Sequence, residues 1–113
     1  MDEAERKRRE TVFSEAKAAI LGARPALAEG VQVVRLDGDA FVLRYRSGAP
    51  ETELGTYAGQ FMHHIDGRRT VGDIIEAIAD DLAMTDAMEA GKASMAALHV
   101  YYVDGTIEEL RGI

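Results

Sequence analysis

Beyond its N-terminal segment the apolar period of this chain changes once, from two to roughly 3.6, and that change limits what the chain can fold into. From Val31 the pattern alternates: Val31, Val33 and Arg35 fall on one face, Gln32, Val34 and Leu36 on the other. Asp37-Gly38-Asp39 then interrupts it. Ala40 to Arg46 resumes the alternation, with Phe41, Leu43 and Tyr45 against Val42, Arg44 and Arg46. Two alternating runs around an Asp-Gly step predict a β-hairpin. Ser47-Gly48-Ala49-Pro50 predicts a second turn, and Glu51 to Leu54 a short third strand.

After Gly55 the period is helical. Thr56 to Ile65 carries Tyr57, Ala58, Phe61, Met62 and Ile65 along one side, and Asp66-Gly67 stops it. Thr70 is placed as an N-cap with Asp73 three residues on, where an acid suits a helix N-terminus. Val71, Ile74, Ile75, Ile78 and Leu82 make an apolar stripe. A third helix is predicted from about Asp86, burying Met88, Met95, Leu98 and Tyr102, with Asp104-Gly105 at its end and Thr106-Ile107 as a final strand or wing. Ahead of the hairpin, Asp2 to Leu21 reads as one amphipathic helix, ended by Gly22 and the Arg24-Pro25 step. The expectation is an α+β domain: a small antiparallel sheet of two or three strands and a three-helix winged helix-turn-helix unit over residues 31–113, plus an extra N-terminal helix over 1–25.

Composition removes several functions. No apolar run approaches the roughly 20 residues of a membrane span, and the N-terminus is charged, so a cytoplasmic protein is expected. Without cysteine there is no disulfide, thiolate nucleophile or cysteine-held zinc. The 13 basic residues face 20 acidic ones, a net charge of -7. From Thr70 onward Asp73, Glu76, Asp80, Asp81, Asp86, Glu89, Asp104, Glu108 and Glu109 are set against only Lys92 and Arg111. A recognition helix on DNA needs basic and amide side chains, so nucleic acid is disfavoured as a partner. Arg6 to Arg9 is interleaved with acids and reads as a solvated helical face.

Catalytic chemistry finds no purchase either. His63 and His64 are adjacent on a helix and point about 100° apart, so the two cannot readily grip one ion. Ser14, Ser47 and Ser94 lack a nucleophile elbow, and Gly38, Gly48, Gly55 and Gly59 form no phosphate-binding loop. A non-enzyme without metal or cofactor is expected.

The stretch from Leu54 to Ile78 resembles the PqqD-like family, small partner proteins of peptide-modifying enzymes. Leu54, Ala58, Asp66, Gly67, Arg69, Thr70, Val71, Ile74 and Ile75 match its pattern with spacing intact, whereas Gly55 and Tyr57 stand where the family has Asn and Thr. The resemblance implies that a precursor (leader) peptide adds a strand to the sheet edge, leans on the third helix and is presented to a modifying enzyme. On that reading Thr52, Glu53 and Leu54 are the edge, and Met88, Met95, Leu98, Tyr101 and Tyr102 the wall. Arg35, Arg44 and Arg46 would attract an acidic peptide. The alternative is a winged-helix regulatory or DNA-binding domain, or an accessory subunit of an enzyme complex. The N-terminal helix could cover the edge or pair two copies as a homodimer, and the sequence leaves both open.

Overall fold

The change of period falls at the expected place, but the chain around it holds more strand than its pattern suggests. A computed structural model describes all 113 residues. In chain order the elements are α1 (Glu3–Glu15), α2 (Lys17–Ile20), β1 (Arg24–Leu27), β2 (Val31–Arg35), β3 (Phe41–Tyr45), β4 (Thr52–Leu54), α3 (Thr56–His63), α4 (Val71–Ala79), α5 (Met84–Val103) and β5 (Ile107–Arg111). They form an α+β fold with two antiparallel sheets, ordered β2-β3-β4 and β1-β5.

The hairpin turns at Gly38, whose φ of +73° is a conformation glycine reaches without a Cβ penalty. Val33 pairs with Leu43 across β2 and β3, and Leu43 with Thr52 across β3 and β4. Leu43 is fully buried, and Val31, Val33, Tyr45 and Leu54 pack against the same core, so this face receives the helices. Behind β3, Phe41 lies so close to α3 that a Cβ on Gly59 would come within 2.5 Å of its ring. The Asp66-Gly67 turn is held by the Asp66 carboxylate, which accepts from Arg68 N at 2.8 Å and Arg69 N at 2.9 Å. Those bonds, Arg69's first, hold its pKa below the ordinary value. Thr70 and Asp73 then close a reciprocal capping box at the start of α4.

Helix α5 buries Ala90, Ser94, Ala97, Leu98 and Tyr102. The expected stripe is thus corrected. Met88 is 60% exposed, and Met95 is only half-buried. Small side chains let α5 lie close on α3 and α4, and an unbranched methionine in that seam would hold the helices apart. Ser94 satisfies its buried hydroxyl by donating to Ala90 O at 2.7 Å.

The N-terminal segment departs most from expectation. The single helix over Asp2–Leu21 is broken at Ala16 (φ −114°, ψ 26°). Beyond the break Ile20 and Ala23 are fully buried, and the carbonyls of Leu21 and Ala23 accept the first N–H groups of α4, from Gly72 and Val71. The Arg24-Pro25 step, expected only to end the helix, opens β1, paired with β5, which extends well past Thr106-Ile107. Pro25 is tolerated because a two-stranded sheet leaves every strand an open side for the missing N–H. The N-terminal residues therefore share one core with the rest of the chain.

Arg9 was expected in water and is buried. Its guanidinium donates to Tyr102 O at 2.7 Å, Ile107 O at 2.9 Å and Glu108 O at 2.6 Å, and lies 4.5 Å from the Tyr102 ring centre. It thereby gives the Tyr102 carbonyl, in the last turn of α5, a charged donor where the helix dipole also favours a cation, and ties that turn to the start of β5. Glu5 orients it, accepting from Arg8 and from Arg9 Nε at 3.0 Å. These bonds, Arg8's first, lower the Glu5 pKa from 4.5 to about 2.

Four substitutions test these contributions to stability. Arg9→Met should cost ~3 kcal/mol in urea unfolding, because buried carbonyls lose a charged donor. Glu5 is more acidic folded than unfolded, so its contribution is complete above about pH 4.5 and fades as pH falls toward 2; Glu5→Gln should flatten that part of the unfolding midpoint against pH. Gly59→Ala should destabilise by ~1–3 kcal/mol through the clash with Phe41, despite the helix propensity of alanine. The matched Gly91→Ala, whose new methyl would meet nothing nearer than 3.9 Å, should instead raise stability by ~0.5–1 kcal/mol.

Candidate functional site

Strand β4 ends the three-stranded sheet, and its ladder fixes which backbone groups are spare. Arg46 N donates to Gly30 O and Leu36 N to Ala40 O, both at 2.8 Å, so the even-numbered residues of β3 bond toward β2. Alternation in an antiparallel ladder then turns Phe41 and Leu43 toward β4, where their partners are Leu54 and Thr52. The N–H and C=O of Glu53 point the other way. By that alternation they take no part in the β3–β4 ladder, and the N–H of Gly55, which precedes α3 in extended conformation, donates to no turn or loop carbonyl.

Beside this edge runs a groove of about 330 Å³, formed by Glu53, Leu54, Gly55 and Ala58 on one side and Ala93, Ala96, Ala97, Val100 and Tyr101 of α5 on the other. Its walls are apolar apart from Glu53 and the Tyr101 hydroxyl. Its volume sits at the low end of the ~300–1,000 Å³ typical of small-molecule clefts, and it is open along its length. It suits side chains from a passing strand better than a whole ligand. Burial raises the Tyr101 pKa, assisted by the nearby charge of Asp104.

The expected site residues divide between this groove and other places. Thr52, Glu53 and Leu54 form its edge, and Tyr101 its far end. Leu98 and Tyr102 are in the core, at 0% and 4% exposure, and do not border the groove. Met88 is exposed but does not border the groove, and Met95 lines a hollow on the opposite flank of α5. Arg46 walls two larger hollows at the base of the hairpin, about 480 and 540 Å³, and Arg44 the first of them; both contain only Val31 and Tyr45 as apolar residues. Their guanidiniums are engaged, Arg44 with Glu51 and Arg46 with Glu29 at 3.7 Å; Arg35 is held by Asp39 at 3.4 Å.

The alanines and Val100 escaped sequence reading. Ala93, Ala96, Ala97 and Val100 recur at three- and four-residue spacing, a signal for one helix face, but small residues usually mark close packing. Only the position of β4 turns that face into a groove.

Helix α1 leaves the groove uncovered. It docks on the far side of α5, where Phe13 stacks on His99 with ring centres 4.5 Å apart and His99 Nε2 lies 2.8 Å from Glu10 Oε2. The rings of His63 and His64 meet edge-on at 6.2 Å, and nowhere do three or more His, Asp or Glu side chains converge as a metal site. No helix is long and apolar enough to cross a membrane. Comparison of the chain with protein-family models, with curated proteins and with solved structures finds no match.

Proposed function

We propose that this protein is a non-catalytic, cytoplasmic peptide-binding module. A segment of a ribosomal precursor peptide adds to the free edge of β4 as a fourth strand, leans on α5 and is presented to a separate modifying enzyme. The observation that carries this reading is the pairing of unused backbone groups at Glu53 and Gly55 with an apolar groove immediately alongside. An extended peptide satisfies both at once: main-chain bonds to the edge, and every second side chain into the groove. The order of hairpin, third strand and three helices agrees with the PqqD-like resemblance, and on that reading residues 31–113 form a winged helix-turn-helix unit. The outer face of α5 carries Asp86 and Glu89 against Lys92, which disfavours the DNA-binding alternative.

Because β4 offers few outward groups, backbone bonding alone is weak, and the groove must supply much of the affinity. Selection of short random peptides displayed on phage provides the probe. Peptides enriched on the wild-type protein should slow amide exchange at Glu53 and Gly55. Ala93→Trp, which fills the groove, should abolish their binding while leaving the far-ultraviolet circular dichroism unchanged. Gly55→Pro keeps the observed φ of −63° but deletes the outward N–H, and should weaken binding about two- to tenfold. Peptides that bind Ala93→Trp as well as wild type would sink the proposal.

A further inference from the structure

The reading of the β4 edge as a peptide site underlies a sharper statement about its occupant. We propose that the edge selects a strand with a basic residue opposite Glu53 and an apolar residue on either side of it.

The three arginines that would have attracted an acidic peptide do not border the groove, and each is already paired with a carboxylate. Glu53 is the only charged residue lining the groove, is exposed and has no ion pair. Arg44, on the same sheet face one pair along the ladder, is taken by Glu51. A free carboxylate therefore stands beside the free N–H and C=O of the same residue.

Strand geometry converts this into a pattern. The incoming residue that pairs with Glu53 projects its side chain to the same face as Glu53, away from the helices. Its two neighbours project to the opposite face, that of Thr52 and Leu54, toward Ala58, Ala93 and Ala97. The middle position meets a carboxylate and the flanking ones meet an apolar wall. The net charge of -7 adds long-range attraction for a cationic strand. A second copy pairing symmetrically at this edge would set Glu53 against Glu53, so the carboxylate also works against self-association.

The test repeats the selection on wild type, on Glu53→Lys and on Glu89→Lys, which reverses an acid outside the groove. Wild type and Glu89→Lys should both enrich peptides with Lys or Arg between two apolar residues. Glu53→Lys should enrich an acid at that same middle position. Replacing the middle basic residue of an enriched peptide by glutamine should weaken binding to wild type by up to about fivefold, the range of an exposed cross-strand ion pair. If Ala93→Trp abolishes binding but the middle position shows no charge preference, or the same preference on Glu53→Lys, the groove is a peptide site and the charge rule is wrong. If binding survives Ala93→Trp, both readings fall.

Discussion

The small size of the residues along α5 is the constraint on which the rest of the molecule depends. Ala90, Ser94 and Ala97 are buried where the helix lies on its neighbours, and Leu98 and Tyr102 fill the wider space beyond them. Close helix contact brings dispersion attraction from many atom pairs, each tiny, and leaves no void that water could enter. The same economy of volume, turned toward β4, has the reverse effect. At Ala93 and Ala96 nothing packs over the short side chains, so a groove stays open beside the sheet edge. One compositional habit gives both a tight core and an unfilled cleft, and the placement of strands decides which.

Arg9 complements this arrangement from the other side. The last turn of α5 ends inside the structure, where its Tyr102 carbonyl has a turn N–H, from Gly105, and room for a second, stronger donor. The guanidinium reaches it from α1, and the same fork reaches the start of β5. The N-terminal helix and the α5–β5 corner, distant in sequence, are thereby held by one planar side chain, with Glu5 fixing its orientation. No buried side-chain nitrogen or oxygen is left without a partner. Docked this way, α1 is committed to the flank of α5 bearing Phe13 and His99, and the β4 edge is left to other strands.

Charge plays a selective role more than a stabilising one. The surface arginines of the hairpin sit in exposed ion pairs of the kind that contribute little to stability, yet those pairs neutralise the only basic cluster near the sheet. Glu53 remains unpaired at the edge itself. The balance that an extended peptide would meet is therefore set by which carboxylates are already occupied, a property of the fold that no tally of charges contains.

By itself the sequence determined the elements whose information is local. The Asp37-Gly38-Asp39 turn, the alternation about it, the Thr70–Asp73 capping box and the Asp66-Gly67 stop each depend on neighbours within a few residues, and all formed where the pattern placed them. Tertiary structure decided the rest, because the deciding partner lies far along the chain. Arg24 to Leu27 has no strand period of its own and becomes β1 through pairing with β5. Arg9 is indistinguishable in sequence from its solvated neighbours until the end of α5 arrives beside it. Met88 carries the hydrophobicity expected of a core yet is exposed, and Met95 packs only at the core's margin, because the close contact of α5 with its neighbours is filled by Ala90, Ser94 and Ala97. The groove belongs to this second group: its alanines and its free backbone groups acquire meaning only once β4 and α5 lie side by side.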